Sequence, residues 1–527
     1  MQKNKWFIIF LIVFLISRTQ QIQANPPGWS EDYLLTAAQP QTAEGYGSPV
    51  IAKAPDGGIN IVFTRTLGFP ITDIEIYYAK QDGTGKPIIP SIPLIRGNFN
   101  DYPTIAVDRY STIHLAWGYT SRTSNTVKYA KFNQNGNRLS QDRTISNVGL
   151  SVLPSMRIHQ DNVYIVWQGY IPAGRLGIYL TKLDTNGNPA INNRVLVNPL
   201  FEARKPSLTI SDDDILNVVW YDSRDGNWQL YYARFSSSDG TRVTQDQRIT
   251  NTQGETFDPR SELDQDGNLH IAWSEEYRFP QFVRKAMYKK IDPRTGRIII
   301  PDTVISMGYN NAYTPDISID SYRNVHSVWR LIDEQQGIFP LMYTKLDNNG
   351  NRVIEQQLTT DQRLGLYSDI LADGQDVHIA FEATRIPETN GDVYYKRSLG
   401  LVQFRGSFRR GETSFIDLFN PLYPNSNYFF AMALDRIPGI MLPDGRTVYL
   451  NLDPFFFLAI TNYALIGLSN IEGVLDSQGA ATITWRIPAD APPYLALNGA
   501  FLIIDRTLQF PQSIQYISVS YPTTIQP

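Results

Sequence analysis

Lys205-Pro-Ser-Leu-Thr-Ile210 opens the stretch that decides the fold, and the stretch runs on to Asn251. A turn at Ser211–Asp214 leads to Ile-Leu-Asn-Val-Val-Trp220, and the polar loop Tyr221-Asp-Ser-Arg-Asp-Gly-Asn227 follows. Then come Trp228-Gln-Leu-Tyr-Tyr-Ala-Arg-Phe235, a Ser/Asp/Gly turn, and Gln247-Arg-Ile-Thr-Asn251. Four short runs rich in β-branched and aromatic residues, each bounded by turn formers, read as four β-strands.

The phrase recurs. The aromatic closing its second run falls at Phe63, Trp117, Trp167, Trp220, Trp273, Trp329 and Phe381, at intervals of 54, 50, 53, 53, 56 and 52 residues. Seven copies at so even a period are the mark of radial or solenoid repetition. A proline opens the first run at Pro49, Pro103, Pro154, Pro206, Pro259 and Pro315, with Ser368 in the seventh copy. Proline is tolerated at the first residue of a strand. The third run carries an aromatic and a base two residues apart, as in Tyr78/Lys80, Tyr129/Lys131, Tyr232/Arg234, Tyr288/Lys290, Tyr343/Lys345 and Tyr395/Arg397. That spacing puts both on one strand face. The third copy departs, with Leu180 before Lys182.

Copies one to six end in a fourth run, and the seventh stops near Ser398 without one. A lone strand-like segment, Asp32-Tyr-Leu-Leu-Thr36, precedes the first copy. Pairing it with the last copy closes a ring and hides two sheet edges. The expectation is therefore all-β: a seven-bladed β-propeller within residues 25–398, its seventh blade completed by the strand at 32–36. After Ser398 the period ends. Short apolar or alternating runs at Ser414–Phe419, Tyr428–Leu434, Ala481–Ile487 and Ala500–Ile504 predict a C-terminal β-sandwich over 399–527.

Composition fits this picture. Among 527 residues, 30 Tyr, 33 Pro and 36 Gly suit short strands and tight turns. The formal charge of −4 gives no basic stripe, which argues against nucleic acid as a partner. Lys3, Lys5, the eleven-residue apolar run Trp6–Ile16 and Ala24 before Asn25 read as a signal peptide over 1–24. The other reading of that segment is an uncleaved anchor. No transmembrane span is expected in the mature chain, which is read as a monomer that is secreted, periplasmic or on the cell surface. With no cysteine, neither a disulfide nor a cysteine metal site exists.

Pro103-x-hydrophobic-x-hydrophobic-Asp108 with Ile113-His-Leu-Ala-Trp117, and Trp220-Tyr-Asp-Ser-Arg-Asp-Gly-Asn227 with Leu230-Tyr-Tyr-Ala-Arg-Phe235, resemble secreted bacterial propellers of the sialidase-like (BNR-like repeat) superfamily. The resemblance implies the fold over about 350 residues. Leu442-Pro-Asp-Gly-Arg-Thr447 followed by Leu452-Asp-Pro-Phe-Phe456 resembles a C-terminal β module of other secreted bacterial proteins.

Candidate chemistry falls into four groups. His114, His270, His326 and His378 lie three residues before the anchor aromatic, where other copies hold Asn60, Tyr164 and Asn217. A polar residue at one place in every copy is read as structural. One arginine follows each anchor: Arg65, Arg122, Arg175, Arg224, Arg278, Arg330 and Arg385. These seven are the candidate ligand-binding set, a ring of guanidinium groups suited to carboxylate or sulfate. The opposing reading pairs each with a local acid, as Arg224 with Asp222 or Asp225. Sialidase chemistry, implied by the resemblance, needs a tyrosine nucleophile beside a glutamate, and Glu275, Glu276, Tyr277 and Arg278 are the candidates. The family's Ser-x-Asp-x-Gly-x-Thr-Trp box is absent, and its Arg-Ile-Pro signature stands only at Arg385-Ile386-Pro387. Asp212-Asp213-Asp214 and Asp264–Asn268 offer calcium a weak set of oxygen ligands, although turn formation accounts for both. No catalytic residue or cofactor is assigned.

The sequence thus favours an exported non-catalytic protein presenting a propeller face to a glycan or protein ligand. One alternative is a sialidase-like glycoside hydrolase or lyase using Asp101, Glu202, Glu255 or Asp258. The other is a purely structural cell-surface module.

Overall fold

The structure, a computed structural model, describes residues 29–527 apart from 31, 37–43, 333–338, 360–362, 365–366, 386–390, 436–438, 444–446 and scattered single or paired positions. The signal-peptide reading of 1–24 lies outside the described residues. Two compact units are present: Asp32–Arg397, and Ser398–Pro527 with the residues preceding Asp32.

The first unit consists of successive antiparallel sheets. The fourth holds Ala203–Ser211, Ile215–Asp222, Gln229–Ser236 and Gln247–Arg248 in chain order, the four runs of the decisive stretch. Among the described residues six sheets follow this pattern, the first two joined by a single parallel bridge between Ile74 and Phe99. The seventh holds Ser368–Asp373, Asp376–Arg385 and Gly391–Arg397, and Tyr33–Leu34 pairs with its third strand. Each first strand lies against the first strand of the next sheet, and the seventh lies against Glu44–Lys53 of the first. That cycle makes the unit a β-propeller with its first strands innermost.

The closing strand is held by more than its ladder. The Leu35 amide donates to the Val393 carbonyl (2.9 Å), the Thr36 hydroxyl donates to Asp392 (2.9 Å), and Lys396 pairs with Asp32 (2.8 Å).

The prolines do not open their strands. Each of the six first strands begins two to five residues earlier, and its register shifts at the proline: Gly47/Val50, Asp101/Thr104, Val152/Ser155, Arg204/Ser207, Phe257/Arg260 and Tyr313/Asp316. These are β-bulges, the other place where a missing N–H is tolerated. The residue before each proline is left-handed, with φ of 49° at Ser48, 51° at Tyr102, 56° at Leu153, 48° at Lys205, 56° at Asp258 and 43° at Thr314. The bulge re-aims the two residues ahead of the proline in these six sheets.

The core lies between sheets. Trp220 packs with Tyr164, Val166 and Leu180 of the preceding sheet, and Trp273 with Val219 and Tyr232. All five anchor tryptophans are fully buried. The polar position three residues before each anchor is a packing element. His114, His270, His326 and His378 share hydrogen bonds of 2.6–2.8 Å with Tyr129, Tyr288, Tyr343 and Tyr395, and Asn60 and Asn217 accept from Tyr78 and Tyr232. Asp108, Asp264 and Asp320 face the other imidazole nitrogen at 3.0–3.2 Å. The base of the third run then meets an acid at the turn, as in Lys290–Asp264 (2.9 Å) and Arg234–Asp213 (2.9 Å). In the departing third copy, Lys182 sits 5.2 Å over the Tyr164 ring instead.

The second unit has two antiparallel sheets. One is built from Leu401–Arg405, Thr413–Phe419, Ala480–Arg486 and Leu468–Ser469; the other is built around Asn427–Ala433 and Ala496–Ile504. They face one another where Phe404 of the first and Phe430 of the second crowd Gly499. Strands alone do not complete it. Pro454–Thr461 is a helix, with proline in its first turn and the Asp453 carboxylate accepting from the Phe456 amide at 2.9 Å.

Candidate functional site

Two positions per sheet meet at one end of the ring: the residues ahead of the bulge proline, and the residue after the anchor aromatic. The second reads Thr64, Gly118, Gln168, Tyr221, Ser274, Arg330 and Glu382. Its structural task is visible in three sheets. Gln168 Oε1 accepts from the Lys205 amide (2.9 Å), Ser274 Oγ accepts from the Thr314 amide (3.0 Å), and Glu382 takes the Ser48 amide. Each receives the N–H of a left-handed bulge residue in the next sheet. A neutral Gln or Ser suffices for that task, so the charge of Glu382 is surplus to it.

Glu382 keeps its proton to a higher pH than an ordinary carboxyl. Burial pushes its pKa up to about 7, only partly offset by Arg330 and the Ser48 amide, and Asp101 adds to the rise. Arg330 is buried, its pKa drawn down to about 10 by desolvation despite the nearby Glu382 and Tyr367. Burial raises the Asp101 carboxyl, the adjacent Tyr102 amide opposing it at 2.7 Å. Tyr102 and Tyr367 remain 40% and 44% exposed, so solvent reaches the cluster past two phenol rings. Tyr367 is raised by burial and then by Tyr102, Glu382 and Asp101, which marks these groups as neighbours.

A second cluster adjoins it. Lys205 Nζ lies 2.5 Å from Asp258, which also faces Arg284 at 3.4 Å. Burial alone would raise the Asp258 carboxyl, but Lys205, Arg284 and Arg260 outweigh it and hold the group ionised. The wall beside it is aromatic. Tyr221 meets Trp228 and Phe257 edge-on at 5.2 and 5.6 Å, Arg204 lies 5.1 Å over Trp228, and Arg284 lies 4.4 Å over Tyr313. Asp258 also adds to the raised pKa of Tyr367, so the two clusters lie within electrostatic reach of one another. Below the bulges the inner strands bring further charge together: Arg157 meets Glu262 at 3.0 Å, Arg260 meets Asp316 at 3.5 Å, and the Ile51 amide donates to Asp369 at 2.7 Å.

The seven candidate arginines have different fates. Arg65 pairs with Glu75 and bonds the Tyr77 hydroxyl at 2.8 Å. Arg224 is clamped by Asp222 (2.6 Å) and Asp246 (2.8 Å), while Asp225 takes Arg248. Arg278, 64% exposed, meets Glu276 and Glu255 at 3.0 Å. Arg175 is half-buried in its loop. Arg330 faces Glu382, a raised carboxyl of the following sheet. Arg122 and the side chain of Arg385 lie outside the described residues, as do Ile386 and Pro387.

Of the acids, Asp101 and Asp258 enter the mouth, whereas Glu202 pairs with Arg204 and Glu255 with Arg278. Glu275 is buried, accepting from Thr252 (2.9 Å) and from the Tyr277 hydroxyl. Burial and that bond push the Tyr277 phenol up, which is opposite to the activation a phenolate nucleophile needs. The calcium candidates are engaged by protein side chains: Asp213 by Arg234, Asp214 by His159 (2.8 Å), and Asp264 by Lys290 and His270. Among the described residues no group of three or more His, Cys, Asp or Glu converges to hold a metal.

No family model matches the chain, and no curated protein matches it. Among solved structures, an ulvan lyase, a polysaccharide lyase solved with -[GlcA(1-4)Rha3S]-, superposes with a TM-score of 0.47 and 12% identity, covering 70% of this chain and 95% of that one. The Penicillium chrysogenum α-L-arabinanase complexed with arabinobiose gives 0.40 and 10%, covering 70% and 98%. A Hadza microbial sialidase gives 0.42 and 11%, covering 70% and 68%.

Proposed function

We propose that the chain is an exported glycan-active enzyme, a glycoside hydrolase or lyase, whose chemistry runs at the propeller mouth with Glu382 as the proton-transfer group. The observation carrying this reading is the charge of Glu382 at a position where Gln168 and Ser274 meet the same structural need without one. A carboxyl titrating near 7 is suited to general acid or base work at neutral pH. The second carboxylate that glycoside cleavage requires is Asp101. In the lyase form of the reading, Arg330 stands beside Glu382 to neutralise the negative charge that develops on a uronate when its proton is removed. Tyr102, Tyr367, Tyr221 and Trp228 supply ring faces for sugar stacking, and Lys205 and Arg284, braced by Asp258, supply donors for hydroxyl or carboxylate groups.

The local pairing of Arg65, Arg224 and Arg278 favours the second reading, a non-catalytic glycan binder, since those guanidinium groups are already satisfied. A polysaccharide panel separates the two. Reducing-end release reports hydrolysis, and absorbance of a new unsaturated uronide reports a lyase. Turnover abolished in Glu382→Gln supports the enzyme. Turnover that survives the substitution removes Glu382 from the mechanism, and glycan binding without turnover of any substrate establishes the binder.

A further inference from the structure

The second unit contains an apolar cavity of about 520 Å³ that the propeller chemistry does not touch. Its floor is the sheet face where Ala431 and Ala500 stand opposite one another as a cross-strand pair. Two methyl side chains at the centre of a sheet face leave space that larger neighbours would fill. Leu442 and Leu450 enclose it from one side, and the helix Pro454–Thr461 adds Phe456 and Ile460. All four are buried. At the rim stand Leu508 and Gln509, both exposed, and half-buried Ser513. The cavity therefore has an apolar body and a solvent-facing edge with two polar side chains.

Protein interiors are close-packed, and voids much larger than a water molecule are few. An engineered cavity of about 150 Å³ stays dry and takes up benzene. The space here is more than three times larger and falls within the range of small-molecule sites. Left uncovered, a cleft with this lining exposes a contiguous apolar surface to water. Among the described lining residues Gln509 and Ser513 carry the polar side chains, so water finds few partners there. A ligand that satisfies the site needs an apolar body and a polar end at the rim, and an unbranched acyl chain offers both.

We propose that this cavity is an acyl-chain site, with the chain between the alanine floor and the helix and the polar head at Gln509 and Ser513. Volume at the floor then controls binding. Ala500→Leu and Ala431→Leu put side-chain bulk into the body of the cavity from two different strands.

The test is titration of the full chain with cis-parinaric acid, read by fluorescence and competed with palmitate, beside co-sedimentation with phosphatidylcholine vesicles. Saturable fluorescence that palmitate displaces, weakened at least tenfold in both variants, is the expected result. Displacement by palmitate without sedimentation assigns a free fatty acid, and sedimentation lost in both variants assigns a membrane lipid chain. Circular dichroism checks that each variant is folded, and a variant that fails to fold leaves the other to decide. Absence of saturable binding to the unaltered chain overturns the proposal. So does affinity unchanged by either folded variant, or variants that melt higher while the unaltered chain binds nothing, which marks the space as a packing void.

Discussion

Replacing Glu382 by Gln separates what this residue does for the fold from what it does for the site. Glutamine keeps an oxygen for the Ser48 amide, as Gln168 does for Lys205. It removes the ionisable group. The Glu382 pKa rises from 4.5 to about 7 on folding, chiefly because burial penalises the charged form. Since the folded value lies above the unfolded one, the native state holds the proton more tightly. The penalty for ionisation is absent below pH 4.5, grows between 4.5 and 7, and is fully present above 7. A rise of this size corresponds to at most about 3 kcal/mol. For a unit the size of Asp32–Arg397, that is about 4 °C in Tm. Thermal melts followed by near-ultraviolet circular dichroism, at pH 4 and at pH 8, check it. Glu382→Gln should melt with the unaltered chain at pH 4 and about 4 °C above it at pH 8, while losing turnover at both. A variant no more stable than the unaltered chain at pH 8, or a stability gap independent of pH, would refute the reasoning.

Three further outcomes follow from other parts of the ring. His270→Ala leaves the buried Tyr288 hydroxyl without its imidazole partner and removes one partner of Asp264, which keeps Lys290, and should cost about 2 kcal/mol, read as a lower melting temperature with ligand affinity unchanged. Removing residues 1–36 takes away the strand that covers the last sheet edge, so the chain should self-associate, which gel filtration with light scattering would detect. Asp258→Asn leaves Lys205 and Arg284 without their shared carboxylate. It should lower stability by about 2 kcal/mol, with the largest loss above the depressed Asp258 pKa and little difference in strong acid, where Asp258 is protonated in both states.

The surplus at Glu382 has a general form in this molecule. Wherever a repeat position serves every sheet, the residue there explains the fold and nothing else. The histidines illustrate this: each lies against a tyrosine and, in three of the four, an aspartate within its own sheet, and burial lowers their pKa values, that of His378 to about 3. Three of the described arginines after the anchors follow the same rule, since a nearby carboxylate was available to each. Arg330 does not, because its neighbour Glu382 belongs to the next sheet and 51 residues intervene without any local spacing to signal the pair.

By itself the sequence determined the repeat, its seven anchors, the strand order within each sheet and the closing strand at 32–36, because each depends on local alternation and a fixed period. It also marked the polar position before each anchor as structural, because a residue that recurs in every copy serves what every copy shares. Only the tertiary structure decided the site. Whether Pro206 begins a strand or sits at a bulge depends on the register against Ile215–Asp222, which no single strand encodes. That bulge turns Arg204 and Lys205 toward the mouth, where they meet residues more than fifty positions away, such as Asp258. The pKa of Glu382 depends on how deeply two neighbouring sheets bury it, and burial is a property of the assembled ring.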